Sequence, residues 1–230
     1  MNAAHYLGAV ADALAAAGVD AVFVGGATIG LYLDPAGAAA ARATEDVDCI
    51  VDCAALADYD DVSERLRAGG FSHCLDEDAP NCRWVLDVGP GVQVMVDVMP
   101  TGDILGFANR FYPGAVASAK ARQVGRSRVR LPTAGFALAT KVAAWQGRGR
   151  NDPFASKDFE DIIALADGCW ELLASVDELP GPVRAEVAAE LRRLLGRSDI
   201  RALVQGTVPQ PATAARVQGC LATLRAIAAG

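Results

Sequence analysis

The stretch Arg42-Ala43-Thr44-Glu45-Asp46-Val47-Asp48-Cys49-Ile50-Val51 decides the fold, because two acids head a run that is otherwise apolar and rich in β-branched residues. Such a run is expected to form a strand over 46–51. In a strand, residues i and i+2 point to the same face, so Asp46 and Asp48 project together. Two carboxylates that close repel, and a divalent cation removes the penalty by taking both as oxygen ligands. Alone, Asp-x-Asp is most often a solvated loop or strand edge. The order of the signals around it decides more.

Upstream, Tyr6, Leu7, Val10 and Leu14 recur at helical spacing in an Ala-rich segment over 3–17 that ends at Gly18. Val19 to Val24 predicts a short buried strand that stops at Gly25-Gly26. Glycines between a strand and a helix can be a plain turn, or can let backbone N–H groups approach a phosphate. Ala27 to Leu33 predicts a short helix closed by Asp34-Pro35, and 36–43 is either a loop or a weak helix. Downstream, a helix is expected over 54–68. Strands over 83–88 and 92–99 then form a hairpin through Gly89-Pro90-Gly91. In the second of these strands the valines take one face and Gln93, Met95 and Asp97 the other. An Asp that interrupts an apolar strand is costly unless paired or bound to metal, although a strand end would also tolerate it. Three carboxylates on neighbouring strands fit a two-metal phosphoryl-transfer site. One ion lowers the pKa of the attacking hydroxyl, and the other holds the triphosphate and the leaving pyrophosphate.

After Pro113 the texture changes. A short alternating stretch, 126–131, ends at Pro132, and helices are expected near 134–146, 157–167, 169–177, 182–196 and 211–228. The expected architecture is α+β, with an N-terminal mixed sheet flanked by helices over 1–130 and a helical C-terminal part over 131–230. Lys120, Arg122, Arg126, Arg128 and Arg130 form a basic cluster, readable as a track for an RNA acceptor, a triphosphate contact or a charged edge strand. Lys141 and Arg148 are seven apart and share a helix face. Ser156 is a plausible helix N-cap, which would place Asp158 and Glu160 favourably in the first turn without catalytic duty. Trp84, Trp145 and Trp170 are scattered and expected in cores or interfaces, and neither His5 nor His73 has a partner pattern.

Composition sets outer limits. The chain has 230 residues, 52% hydrophobic and 21% charged, which is globular rather than disordered. Its net charge of −7 works against non-specific nucleic-acid binding by the whole surface but leaves room for a local basic groove. No apolar run is long enough to span a bilayer and no secretory leader is recognisable, so a cytoplasmic protein is expected. Six cysteines include no C-x-x-C pair, and with two histidines they make a zinc site improbable. Cys49 and Cys53 are expected to be buried free thiols of a reducing compartment.

The order strand, Gly25-Gly26, helix, strand with Asp46 and Asp48, then strand with Asp97 resembles the DNA-polymerase-β-type nucleotidyltransferases. The flank Arg42-x-Thr44-x-Asp46-x-Asp48 narrows the resemblance to the abortive-infection-type, AbiEii-like group, some of which act as toxins. That group also carries K-x-x-A-x-x-x-R followed by K-D and a further Asp. Here these are Lys141, Ala144, Arg148, Lys157, Asp158 and Asp161. The motifs span 25–161, about two-thirds of the chain, although the twenty positions from Gly26 to Asp46 exceed the compact superfamily spacing. The resemblance implies transfer of NMP from an NTP to a hydroxyl acceptor with two Mg²⁺ (or Mn²⁺) ions on Asp46, Asp48 and Asp97. It implies nucleotide contacts at Gly25, Gly26, Thr44, Lys141 and Arg148, a catalytic or bracing role for Asp158, and an antitoxin protein as a partner. The acceptor, whether a tRNA 3′ end, a protein side chain or a small molecule, stays open. The alternative is a non-catalytic nucleotide-sensing or antitoxin-binding module on the same fold. Retention of three mutually repelling acids favours the enzyme.

Overall fold

The computed structural model describes residues 2–149 and 152–230. Two compact units share the chain. One takes the residues up to Thr28 together with Arg42–Pro132, and the other takes Ile29–Ala41 together with Thr133–Gly230. The helices are α1 (Leu7–Ala16), α2 (Gly26–Ile29), α3 (Pro35–Ala40), α4 (Leu56–Ala68), α5 (Tyr112–Ser118), α6 (Ala134–Ala144), α7 (Lys157–Gly168), α8 (Leu172–Asp177), α9 (Gly181–Leu195), α10 (Ile200–Thr207) and α11 (Ala214–Ala229). The strands are β1 (Ala21–Val24), β2 (Asp46–Val51), β3 (Phe71–His73), β4 (Arg83–Gly89), β5 (Val92–Pro100), β6 (Lys120–Val124) and β7 (Ser127–Leu131). This is the expected α+β architecture, a mixed sheet flanked by helices followed by a helical part.

In the first unit the sheet order is β1-β2-β5-β4-β3. β2 and β5 run parallel and every other neighbouring pair is antiparallel. Parallel neighbours need a long crossover, and α4, β3 and β4 supply it. The register puts Val47, Val96 and Trp84 in one row and Cys49 and Val98 in the next, all fully buried. α4 lies over that face. Tyr59 Oη donates to the Val98 carbonyl at 2.8 Å, and the Arg67 guanidinium stands 5.5 Å from the Trp84 ring. His73 stacks on Trp84 at 4.0 Å. The opposite face carries the acids.

The β4–β5 hairpin turns at Pro90-Gly91, where Gly91 has φ +72. Pro followed by a residue of positive φ suits a type II turn, which twists strands the wrong way for a hairpin. A bulge between Asp87 and Gly89 absorbs the mismatch and shifts the register by one. β6 and β7 form a separate hairpin whose Ser127 hydroxyl donates to Asp12 of α1 at 2.7 Å. Arg128 and Arg130 take its more exposed side, whereas Arg126 sits in the turn rather than in the strand. Arg130 is ion-paired with Asp20.

In the second unit α6 is buried from Ala134 to Ala143, as a helix apolar on every side must be. Gly135 is required there, since a Cβ would collide with the Ser175 carbonyl. Five residues of π-helix, Trp145–Gly149, extend α6. α7 is capped by the Ser156 hydroxyl, which accepts from Phe159 N at 3.2 Å, as its sequence led us to expect. Of the two alternatives for 36–43, the helix is found: α3 is capped by Asp34, which accepts from Gly37 N at 2.7 Å. Arg216 of α11 forks onto Asp167 of α7 with contacts of 2.6 and 3.0 Å. Among the described residues no helix is long and apolar enough to cross a membrane.

Candidate active site

Register alone assembles the acidic face. Asp48 is the partner of Asp97 across β2 and β5, and Asp97 is the partner of Arg83 across β5 and β4. Register partners share a face, so Asp48, Asp97 and Arg83 form one row. Asp46, two residues before Asp48, stands on the same face in the next row.

Each acid has a distinct support. Thr44, buried on the loop before β2, donates its hydroxyl toward Asp46 Oδ1 at 3.2 Å. Thr44 is itself tied down, because the Asn2 carboxamide oxygen accepts from Thr44 N at 3.2 Å and Ala3 N donates to the Thr44 carbonyl at 2.8 Å. Asp48 lies over the Gly25 backbone, so that a Cβ on Gly25 would fall inside its carboxylate. Gly25 also has φ +75, which disfavours a side chain independently. At Gly26 a Cβ would meet the Arg42 guanidinium. The Gly-Gly turn therefore admits one charged side chain at each glycine.

Asp97 is the most buried of the three, and Arg83 engages both of its oxygens. Arg83 Nε donates to Oδ1 at 2.8 Å and Nη2 to Oδ2 at 2.7 Å. The same Nη2 reaches Asp46 Oδ2 at 3.0 Å. The hydrogen bond to Asp97 holds the guanidinium pKa above its ordinary value against the opposing effect of burial. Beneath the acids, burial and then the charge of Asp97 push the Cys82 thiol up to about 12. Burial, then Asp48 and Asp97, raise Cys49 as well. Both are free thiols, as is Cys53, and all three are buried. Among the described residues no three acidic, His or Cys side chains converge tightly enough to hold a metal ion. Two of the three acids turn to Arg83 instead.

Sequence reasoning did not single out Arg83. The signal was present: a hairpin through Gly89-Pro90-Gly91 sets 88 against 92 and so Arg83 against Asp97, the pairing that is found.

The second unit gathers the later motif. Lys141 Nζ lies 2.6 Å from Asp161 Oδ2 and 3.4 Å from Asp158 Oδ1. Arg148 forks onto Asp158 at 2.8 and 3.1 Å, from a side chain that is 75% exposed. Lys141 grows from a helix buried all round, and a lone ammonium there would be prohibitively desolvated. The two aspartates, one turn apart on α7, compensate it. Lys157 opens α7.

No protein-family model matches this chain, and no curated protein matches it. Among solved structures, an antigenic nucleotidyltransferase-like protein from Paracoccidioides brasiliensis is similar, with a TM-score of 0.57 and 18% identity over 93% of this chain and 97% of that one. At that identity the likeness carries the fold: the core is nucleotidyltransferase-like, with a helical C-terminal part.

Proposed function

We propose that the chain is a divalent-metal-dependent nucleotidyltransferase of the AbiEii-like kind, moving NMP from an NTP to a hydroxyl acceptor with release of pyrophosphate. The observation that carries this reading is the acidic face itself: Asp46, Asp48 and Asp97 on two parallel strands beside the Gly25-Gly26 turn. The donor chemistry fits, because carboxylate oxygens suit Mg²⁺ or Mn²⁺ and the side-chain-free Gly25 leaves the Asp48 carboxylate its place. When bound, two such ions would lower the pKa of the attacking hydroxyl and neutralise the triphosphate.

The chain's own residues have separable duties in this scheme. Thr44 orients Asp46. Gly25 and Gly26, by their lack of side chains, seat Asp48 and Arg42 against the turn, and phosphate would meet the turn through its backbone N–H groups. Asp97 serves the attacking hydroxyl. Within the second unit we assign the phosphate contact to Arg148, whose side chain is largely exposed. Lys141, first expected to touch phosphate, holds Asp158 and Asp161 in place. The acceptor is a macromolecule or small molecule with a free hydroxyl, and RNA and a toxin role with an antitoxin partner belong to this same reading.

Incubation with each labelled NTP, Mg²⁺ and total cellular RNA or lysate tests it. Label should move to one acceptor, and the Asp46→Asn, Asp48→Asn double variant should abolish the transfer. Absence of transfer from every NTP would leave a second reading, a nucleotide-sensing or antitoxin-binding module. The Arg83 ion pairs favour that module, since they neutralise two of the acids without any metal.

A further inference from the structure

We propose that Arg83 is a tethered cation that latches the acidic face, and that a divalent ion gains Asp46 and Asp97 only by displacing it. The inference rests on the metal-dependent reading above. A single nitrogen, Arg83 Nη2, stands 3.0 Å from Asp46 Oδ2 and 2.7 Å from Asp97 Oδ2. An ion bridging those two carboxylates would need oxygens at about 2.0–2.1 Å for Mg²⁺, in the space that this nitrogen fills. Two cations in that space would also repel at contact distance. Arg83 and a bridging ion therefore exclude each other.

The latch can open without moving the backbone. The Arg83 side chain is 26% exposed, and its flexible stem emerges from β4 at the rim of the row. Its guanidinium is weakly hydrated and forks naturally onto a carboxylate, which explains why it settles on Asp97 when no stronger cation competes. Three acids can thus share one face in the resting protein, because a guanidinium already compensates part of their charge. Metal loading becomes an exchange of one cation for another, and the affinity of the resting protein for metal is set by the strength of the Arg83 fork.

Mn²⁺ titration of the full chain, read by the electron-paramagnetic signal of free Mn²⁺ and by the Mn²⁺-dependent shift in melting temperature, tests the latch. Arg83→Gln should bind Mn²⁺ at least ten-fold more tightly than the wild type and gain more thermal stability from it. Arg83→Lys, which keeps a charge but cannot fork onto two oxygens, should fall between them. If Arg83→Gln fails to fold, Arg83→Lys decides: tighter binding supports the latch, and unchanged or weaker binding overturns it. If the wild type binds Mn²⁺ and Arg83→Gln binds it no better, the latch falls and the metal-dependent reading stands. If neither the wild type nor the variants bind Mn²⁺, both fall.

Discussion

Gly25 and Asp48 are fitted to each other: the acid's carboxylate occupies the space that a side chain on the glycine would need. The turn and the acid are thus a single steric unit, although twenty-three positions separate them in the chain.

Gly25→Ala should accordingly be destabilising by about 1–3 kcal/mol, from positive φ together with the displaced carboxylate. Gly26→Ala should cost less, since it meets the flexible end of Arg42. Urea midpoints at constant m-value would compare the two. Equal effects would mean that Asp48 yields as easily as Arg42.

If Asp97 serves the attacking hydroxyl as proposed, Asp97→Asn should lower turnover by orders of magnitude while leaving NTP affinity nearly intact, because the lost interaction is made chiefly in the transition state. The substitution also weakens the Arg83 fork, so circular dichroism must first confirm the fold. A lost NTP affinity with unchanged turnover would reverse the assignment.

Lys141→Met should destabilise the protein by about 3–5 kcal/mol, because it leaves Asp158 and Asp161 buried without their ammonium. Arg148→Ala should cost less stability than Lys141→Met, because Lys141 still compensates the buried Asp158. It should instead weaken NTP binding by about 1.5–3 kcal/mol. Chemical denaturation and nucleotide titration of both variants separate the roles. A stable Lys141 variant that loses NTP would return the phosphate contact to Lys141.

If the β6–β7 hairpin tracks an RNA backbone, Arg126→Ala and Arg128→Ala should weaken RNA binding and flatten its dependence on salt. Filter binding between low and physiological salt gives the slope. No RNA binding by the wild type at low salt would move the acceptor to a protein or small molecule.

Of the six cysteines, Cys74 is the half-buried one and the other five are buried. Burial also pushes Cys82 and Cys220 each up to about 12, far above the pH of an ordinary labelling reaction. A thiol reagent at pH 8 should therefore modify one thiol per native chain and six after denaturation. Rapid native labelling of Cys49 or Cys82 would contradict the packing beneath the acidic face.

The parts legible in the sequence were those that local pattern controls. β2 falls on 46–51 as its apolar run required, and α7 starts behind Ser156 because a hydroxyl there has an N–H to satisfy. β3 escaped because three residues carry no period. β6 escaped because Lys-Ala-Arg-Gln is exposed along its length and so shows no alternation. The ion pairs of Lys141 depend on the burial of α6, a tertiary property. The fork of Arg83 onto Asp97 depends on side-chain placement across the β4–β5 pair, which strand pairing alone does not specify.

β5 comes after the other four strands of the sheet in the chain, yet it occupies the middle position in space. Its parallel pairing with β2 must close a long loop before any contact rewards it, which makes such pairing slow. A nascent chain that has emerged only through β4 carries Asp46, Asp48 and Arg83 but no central strand to align them. The acidic face therefore comes into being in the same event that completes the five-stranded sheet, before the β6–β7 hairpin that closes the first unit has been made.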